Sequence, residues 1–295
     1  MEVRRQGGFK MLCDLHTHSV FSDGTCTPVE IVDAAVAKGL SAVALTDHNT
    51  TDGLSDFMNA ASGKKIDIVL GAEFSVDYNG TELHMLGLFI EPAYFSQVSA
   101  LMQEVTARKE QSNLELIESL CRIGIRLDYD EIKSATPSGK VNRAHIATAM
   151  VQNGYTTTVA EAFETHLSPA AGHYKEPKRL TAWEILDFIQ SIGALSVLAH
   201  PLLNLSEGAL ARFLPEAKER GLVGMECHYS LYDEATTQLS LSLADAFGLL
   251  KSGGSDFHGT RKPDIEIGVG KGNLNVPYEW YLALKAYAKK RPAYA

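Results

Sequence analysis

The chain has few of the features of secreted proteins. It holds four cysteines in 295 residues, and Cys13, Cys26, Cys121 and Cys227 lie far apart without forming a CxxC pair. Disulfide-stabilised secreted domains are usually short and rich in cysteine, so a disulfide framework is not expected. The first ten residues are polar and basic and lack the apolar segment of a signal peptide. We therefore predict a cytoplasmic protein.

Long apolar runs are also missing from the sequence. One of the longer runs, Met85–Ile90, has only six residues. A membrane-spanning helix needs about 18 or more consecutive apolar residues. We therefore expect no membrane-embedded segment and no membrane partner.

The chain has no excess of positive charge. It contains 27 lysines and arginines against 36 aspartates and glutamates, which gives a formal net charge of −9. Extended nucleic-acid-binding surfaces are strongly basic, so a long nucleic-acid track is not expected. Small anionic substrates stay compatible with this balance, because one local pocket can oppose the field of the whole surface.

Alternating strand-like and helix-like segments occupy two parts of the chain, residues 11–92 and 179–280. This alternation indicates parallel βα units. Thr27 with Glu30, and Thr181 with Glu184, form two capping boxes that mark helix starts. About seven such units are present in total, which is enough for a barrel-like closure.

Residues 93–178 interrupt this alternation. An apolar stripe predicts a long helix over Val98–Ile123, and further helices are expected near Arg143–Asn153 and Val159–Thr165. A polar, turn-rich stretch lies at Ser134–Lys140. We therefore predict a discontinuous α/β barrel, residues 11–92 and 179–280, with a helical insertion, residues 93–178, that caps the active site.

Histidines and carboxylates follow several predicted strands. They are His16, His18, His48, Glu73, His200, Asp256 and His258, with His84 early in another strand. Residues at the carboxyl ends of barrel strands converge on one face, so we expect these side chains to meet. A single histidine at a strand end is usually structural, but so many converging imidazoles and carboxylates would be poorly satisfied without cations. The combination suits Zn, Fe or Mn.

The order of these motifs resembles the PHP (polymerase and histidinol phosphatase) family of metal-dependent phosphoesterases. The matching segments are Asp14–Ser19, Ser22–Gly24, Leu45–Asn49, Gly71–Glu73, Leu83–His84, Leu198–Pro201 and Gly254–Gly259. They cover the predicted α/β part of the chain. The helical insertion after His84 resembles the subgroup that includes nucleoside 3′,5′-bisphosphate phosphatases and 5′-end RNA exonucleases.

The resemblance implies a distorted seven-stranded (β/α)7 TIM-like barrel that holds two or three divalent metal ions (Mn, Fe or Zn). By the family pattern, the first ion is bound by His16, His18, Glu73 and Asp256. The second is bound by Glu73, His84 and His200, with Glu73 bridging, and the third by Asp23, His48 and His258. All nine ligands are present. Asp14 and Asp47 are expected to orient ligating imidazoles, and the alternative for both is a role in capping a strand end or a turn.

The resemblance also implies a hydrolase that acts on phosphate ester bonds. A metal-activated hydroxide would attack phosphorus in small phosphorylated substrates such as nucleotide bisphosphates, cyclic phosphates or sugar phosphates, or at an RNA 5′ end. The segment Lys140–Ala147 is similar to the subgroup's Gly-Arg-Pro-His pattern, with Asn142 and Ala144 in place of glycine and proline. From that similarity Arg143 and His145 are expected to bind substrate.

Two further residues are weaker candidates. Lys175 is a second candidate for phosphate binding. His228 follows a predicted strand, so we expect it to face the same end of the barrel, where it would either assist the leaving group or have a structural role. Arg143 and His228 are thus the candidate catalytic residues besides the metal ligands.

Other functions stay open at this point. An amidohydrolase-type C–N hydrolase also begins its barrel with HxH, although such enzymes often use a carboxylated lysine where Glu73 stands here. A non-catalytic metal-binding PHP module is a second possibility. Within the family, a histidinol-phosphate phosphatase is an alternative to the nucleotide-type phosphatase and the 5′-end RNA exonuclease.

Overall fold

The computed structural model of the chain describes residues 11–136 and 141–290. The first ten residues, and the end of the predicted turn at Ser134–Lys140, lie outside this range. The chain divides into two compact units. One comprises Met1–Ser99 with Leu180–Ala295, and the other comprises Ala100–Arg179.

The first unit is built on one sheet, which has seven strands within the described residues. The strands are β1 (Cys13–Asp14), β2 (Ala42–Leu45), β3 (Asp67–Tyr78), β4 (Thr81–Leu88), β5 (Leu195–Ala199), β6 (Gly224–Tyr229) and β7 (Leu250–Gly254), paired in chain order. The two edges approach each other, since Leu15 N donates to Gly253 O at 3.1 Å and Thr17 bridges Phe257. The predicted seven-stranded, nearly closed barrel is confirmed.

The alternation indicates parallel βα units, but β4 is antiparallel to both β3 and β5. Asn79 and Gly80 form the turn between β3 and β4, with φ angles of 52° and 83°. Both angles match a two-residue type I′ hairpin, for which Asn-Gly is the favoured sequence. The reversal pairs His84, near the start of β4, with Ala199 at the end of β5. It therefore brings His84 to the carboxyl-end face of the barrel.

The α-helices of both units follow in chain order. They are α1 (Pro28–Ala37), α2 (Leu54–Ala61), α3 (Phe95–Arg122), α4 (Tyr129–Ala135), α5 (Arg143–Gln152), α6 (Val159–Ala162), α7 (Ala182–Ser191), α8 (Glu207–Glu219), α9 (Glu234–Phe247) and α10 (Tyr278–Ala288). Helix α3 begins in the first unit and continues into the second. A π-helical turn, Phe163–Leu167, follows α6.

Both predicted capping boxes are confirmed at the starts of α1 and α7. Thr27 accepts a hydrogen bond from Glu30 N, and the Glu30 carboxylate accepts one from Thr27 N at 2.7 Å. Thr181 and Glu184 repeat the pattern at α7. Each box satisfies two backbone N–H groups that a helix start leaves without partners.

The core of the first unit lies inside the barrel and between the sheet and its helices. Aliphatic side chains of the strands, including Val69, Leu86 and Val197, fill the interior together with Leu15, which directly follows β1. Helix α10 packs against this interior through Tyr281 and Leu284. The sequence pattern does not predict α10, because its buried residues are few and its cap, Pro277, offers no side-chain hydrogen bond.

The described residues of the second unit form helices and no strand. Side chains from α3, α4, α5, α6 and the π-helical turn share one apolar core that includes Leu116, Ile132, Ile146, Met150 and Leu167. This core is separate from that of the barrel unit.

No helix among the described residues is both long enough and apolar enough to cross a membrane. The longest, α3, has 28 residues, and charged side chains occur along its length. The predicted cytoplasmic location stays a prediction.

Candidate metal centre

Nine side chains at the carboxyl-end face of the barrel form one cluster, which we call the ligand cluster. They are His16, His18, Asp23, His48, Glu73, His84, His200, Asp256 and His258. The structure thus brings together all nine residues that the family pattern marks as ligands. They fall into four overlapping groups whose donor atoms lie within 4.8 Å of one another. These residues lie far apart along the chain, and the pairing of the strands in the barrel brings them close together in space.

Glu73, in β3, lies at the centre of the ligand cluster and is buried. Its Oε2 faces three imidazole nitrogens, His16 Nε2 at 3.3 Å, His18 Nε2 at 3.2 Å and His48 Nδ1 at 3.1 Å. Its Oε1 faces His84 Nδ1 at 2.9 Å and His200 Nε2 at 3.1 Å. Each carboxylate oxygen therefore belongs to a different set of imidazoles, which is the arrangement of a bridging carboxylate.

Asp256 and Asp23 connect the remaining histidines to the cluster. Asp256 Oδ1 lies 3.3 Å from both His18 Nε2 and His258 Nδ1. Asp23 Oδ1 lies 3.1 Å from His258 Nε2 and 4.0 Å from His48 Nε2. The Asp23 side chain is 42% exposed, whereas Asp256 is buried. The group around Asp23 is therefore the part of the cluster that is open to solvent.

The backbone is strained at two members of the cluster. His200 has a φ of 28° and Asp256 a φ of 55°. Such left-handed conformations are unfavourable for residues other than glycine and are concentrated at functional sites. At Asp256 the conformation is held by its own N–H, which donates to His16 O at 2.9 Å.

Gly254 makes the close approach of β7 to β1 possible. A Cβ atom placed on Gly254 would lie 2.4 Å from the Cβ of His16, which is far inside van der Waals contact. Any side chain at this position would therefore push His16 out of the cluster. Steric exclusion of any side chain thus explains why a glycine begins the Gly254–Gly259 motif.

The pKa values of the cluster show how strongly its members interact. Burial raises the pKa of the Glu73 carboxyl, but the surrounding imidazoles, with His16 first, outweigh burial and hold it well below its usual range. Burial lowers the pKa of His48 to about 4. For His16 burial also favours the neutral ring, yet Glu73 and Glu226 raise its pKa well above the ordinary value. The buried carboxylates thus attract positive charge into the cluster.

Several buried atoms of the cluster make no hydrogen bond of acceptable geometry among the described residues, although some lie close to one another, as His48 Nδ1 does to Glu73 Oε2. They are Glu73 Oε2, His18 Nδ1, His48 Nδ1 and His200 Nδ1. Buried polar atoms are nearly always hydrogen-bonded, so a group of exceptions at one place needs an explanation. Imidazoles and carboxylates are the donors that Zn, Fe and Mn take in proteins. The residues therefore fit divalent metal ions.

Glu226, in β6, is a functional residue that the motif comparison misses. It is fully buried, its Oε1 accepts from His16 Nδ1 at 3.1 Å, and its Oε2 accepts from His200 N at 2.8 Å. A carboxylate on Nδ1 holds the proton there and leaves Nε2 of His16 free for a metal. The sequence signal is an isolated acidic residue within the otherwise apolar run Val223–Cys227.

Asp14 was expected to orient an imidazole, and this expectation is wrong. Its Oδ1 accepts from Ser255 N at 2.9 Å, and its Oδ2 accepts from Gly268 N at 2.7 Å. Oδ1 also lies 3.3 Å from His16 N. The carboxylate therefore fixes the backbone of the loops after β1 and β7.

Asp47 departs from the same expectation. It accepts hydrogen bonds from the backbone N–H and hydroxyl of Ser19, at 2.7 and 2.6 Å, and from the hydroxyl of Ser22 at 2.6 Å. It thus holds the loop that carries His18 and Asp23. Glu226, in contrast, contacts an imidazole directly, that of His16.

His228 does not have the orientation that was expected for a leaving-group residue. Its Nδ1 donates to Asn275 O at 2.8 Å, and its ring packs edge-on against Trp280 of α10. A β-bulge between Glu226 and His228 changes the register of the strand. Tyr229, the next residue, contacts the cluster instead, because its hydroxyl donates to Asp256 Oδ2 at 2.8 Å. The catalytic assignment of His228 is corrected accordingly.

The three expected substrate-binding residues lie in the second unit. Arg143 Nη1 donates to Leu167 O at 3.1 Å, and its guanidinium stacks 4.0 Å from the centre of the Tyr174 ring. His145 completes the cap of α5 with its Nδ1, and Lys175 is exposed. Their role in substrate binding stays a prediction.

Comparison with known proteins gives concordant matches. A family model described as PHP domain matches residues 14–196. A 5′-3′ exoribonuclease of Haemophilus influenzae is 31% identical over 246 residues, which cover 83% of this chain and 89% of that protein. A 3′,5′-nucleoside bisphosphate phosphatase of Chromobacterium violaceum is 30% identical over 260 residues, which cover 86% and 90%.

A solved structure extends this similarity to three dimensions. A candidate metal-dependent phosphoesterase from Bifidobacterium adolescentis matches with a TM-score of 0.66 and 26% sequence identity. The match covers 94% of this chain and 96% of that protein. The shared architecture thus includes nearly the whole length of both chains.

Proposed function

The chain belongs to the PHP domain family, and we propose on that premise that its ligand cluster holds two or three divalent metal ions and hydrolyses phosphate esters of small phosphorylated molecules. Its phosphatase and exoribonuclease relatives place it among the hydrolases that act on phosphate ester bonds. The observation that carries the proposal is the position of Glu73, whose two oxygens face different sets of imidazoles.

We propose the distribution over three ions that the family pattern implies. The structure groups Glu73 with His16 and His200 and also with His48 and His84, which overlaps this distribution without reproducing it. We assign the first ion to His16, His18, Glu73 and Asp256, the second to Glu73, His84 and His200, and the third to Asp23, His48 and His258. Mn, Fe and Zn all suit these donors. Because Asp23 is the most exposed of these ligands, we expect the third ion to exchange most readily.

Divalent ions at such a site supply Lewis acidity, activate a water molecule and stabilise negative charge on the phosphoryl oxygens. The protein's own residues prepare the ligands for this chemistry. Glu226 holds a proton on His16 Nδ1, so that Nε2 faces the cluster. His258 Nδ1 donates to Asp256 O at 2.8 Å, which leaves its Nε2 directed at Asp23. Both rings therefore present Nε2 to the ligand cluster.

The substrate we favour is a small phosphorylated molecule such as a nucleoside bisphosphate. The Chromobacterium violaceum relative is a phosphatase of that class, and the formal net charge of −9 disfavours a long nucleic-acid track. Hydrolysis at an RNA 5′ end is the second candidate, because the Haemophilus influenzae relative is a 5′-3′ exoribonuclease of similar identity. A terminus needs only a short contact surface.

Phosphate release by metal-loaded protein tests the proposal. The substrates should include nucleoside 3′,5′-bisphosphates, nucleotide monophosphates, cyclic and sugar phosphates, histidinol phosphate and short 5′-phosphorylated RNA. We expect activity with Mn-loaded protein, loss of activity in His200→Ala, and none in the apo form. His173→Ala, a histidine of the second unit, serves as the matched control.

Two outcomes would contradict the proposal. The first is metal-loaded protein without phosphate release from any of these substrates. The second is His200→Ala protein that behaves like wild type. Fewer than one bound ion per chain after reconstitution would favour a non-enzymatic role for the PHP domain instead.

A further inference from the structure

The structure points to an additional substrate-binding residue. We propose that Lys262 binds a phosphoryl oxygen of the substrate beside the ligand cluster. The proposal rests on the phosphoesterase function proposed above and adds to it a cationic subsite within the barrel unit.

Lys262 contacts the ligand cluster through a single carboxylate. Its Nζ lies 2.6 Å from Asp256 Oδ2. The other oxygen of the same carboxylate, Oδ1, lies 3.3 Å from His18 Nε2 and from His258 Nδ1. The ammonium group is therefore separated from the imidazole donors by the width of one carboxylate. A phosphoryl group bound at the cluster would lie within reach of it.

The position of Lys262 is fixed by a short turn that follows His258. Residues Gly259–Arg261 form a 3₁₀ turn, and Lys262 N donates to Gly259 O at 3.2 Å. Thr260 N donates to Thr25 Oγ1 at 2.8 Å, which ties the turn to the loop that carries Asp23. A Cβ on Gly259 would lie 2.2 Å from Thr25 Oγ1, so the two loops are in close contact. The backbone at Lys262 is thus held by the same loops that hold the metal ligands.

Lys262 is much more exposed to solvent than the carboxylate that it contacts. The Lys262 side chain is 37% exposed, whereas the Asp256 side chain is 6% exposed. Its ammonium group carries three N–H donors, and the bond to Asp256 uses one of them. A charged donor between the cluster and solvent suits an incoming phosphate, because charge-assisted hydrogen bonds to phosphate are among the strong ones.

Asp256 does not depend on Lys262 alone for its orientation. The buried Tyr229 donates its hydroxyl to the same oxygen, Asp256 Oδ2, at 2.8 Å. Removal of the ammonium group leaves this bond in place, so Asp256 Oδ1 should stay directed at the cluster. The two donors can therefore be separated experimentally: Tyr229 acts through Asp256, and Lys262 acts on the substrate.

Four variants test the assignment, one of which, Lys262→Arg, retains the positive charge. Lys262→Met removes the ammonium group and retains most of the side-chain length. Tyr229→Phe removes the second donor to Asp256. Lys251→Met removes a positive charge on β7 that pairs with Asp245 of α9. For each reconstituted protein, bound metal is counted by elemental analysis and the affinity for inorganic phosphate is measured by calorimetry. KM and kcat are then measured with the best substrate of the wild type.

We expect Lys262→Met to retain the metal content of the wild type and to bind phosphate about tenfold more weakly, with KM raised accordingly. Lys262→Arg should recover part of this loss. Tyr229→Phe should lower kcat or metal content with little change in phosphate affinity. Lys251→Met should match the wild type in all four measurements.

Wild-type phosphate affinity and KM in Lys262→Met would overturn the assignment. Equal loss of metal in Lys262→Met and Tyr229→Phe would also overturn it, because Lys262 would then act only by holding Asp256. Failure of the proposed function has a different signature. In that case the wild type itself releases no phosphate, while the comparison of phosphate affinities still decides the role of Lys262.

Discussion

At the scale of single residues, the candidate site consists of two kinds of side chain. The ligand cluster offers imidazole nitrogens and carboxylate oxygens to a common space. Around it, buried polar residues hold either the rings or the loops that carry them. Glu226 holds the ring of His16, and Asp47 holds the loop that carries His18. The two kinds should respond differently to substitution.

Glu226→Gln tests the orientation of His16. The amide retains the size of the side chain but can no longer favour the Nδ1 proton of His16 by charge. We expect metal affinity to fall about 10- to 100-fold, the usual range for carboxylate partners of ligating histidines. Titration with Mn or Zn measures this, and thermal unfolding of the apo protein checks that the fold is intact. Glu219→Gln, an exposed change on α8, is the control, and equal affinities in both variants would refute the role.

Gly254→Ala tests the steric argument for the glycine beside His16. The new Cβ would lie 2.4 Å from His16 Cβ, so β1 and β7 must separate. We expect a loss of about 1–3 kcal/mol in the free energy of unfolding, together with a lower metal content. Gly208→Ala is the matched control, because its Cβ would meet only Arg212 Nη1 at 3.6 Å within α8. Denaturant unfolding of both variants measures the difference, and similar stabilities would contradict the explanation.

At the scale of elements, the sequence predicts most of the secondary structure and most of the site. Capping boxes and strand-end histidines are local signals, so α1, α7 and the HxH pair can be found without a structure. The apolar pattern of β4 does not show that this strand runs antiparallel to its neighbours. The sequence signal for the reversal is the Asn79-Gly80 turn. Side-chain direction is harder still. The bulge in β6 turns His228 away from the position that an unbroken alternation predicts.

The start of α5 carries Arg143, which the family pattern predicts to bind substrate. Arg143 is held by the Leu167 carbonyl and by stacking on Tyr174. If Arg143 binds phosphate as the family pattern implies, Arg143→Ala should lower kcat/KM on the order of 100-fold. The metal content should stay unchanged, since the residue is outside the ligand cluster.

Tyr174→Leu separates binding from packing in the same element. It removes the ring beneath the guanidinium but retains the guanidinium itself, so we expect a smaller loss in kcat/KM than for Arg143→Ala. Steady-state kinetics and elemental analysis of both variants measure the difference. A loss of bound metal in Arg143→Ala would contradict a role in phosphate binding.

At the scale of the whole molecule, the acidic charge and the buried cluster have a common explanation. Asp23, Glu73 and Asp256 contribute to the formal net charge of −9, and three divalent ions would add six positive charges to it. Part of the net negative charge therefore comes from residues that would bind the cations.

Metal removal should for this reason lower the stability of the barrel unit as well as abolish activity. Ions that bind only the folded state stabilise it by about 2.7 kcal/mol at 100 times their dissociation constant. We expect the thermal midpoint to fall on chelation and to recover on addition of Mn or Zn. In His200→Ala the recovery should be smaller, because one ligand of the second ion is missing. Scanning calorimetry at several metal concentrations measures the effect. Midpoints that do not change with metal in the wild type would show that the unpartnered atoms around Glu73 do not bind cations, and both proposals for the site would then fail at their first premise.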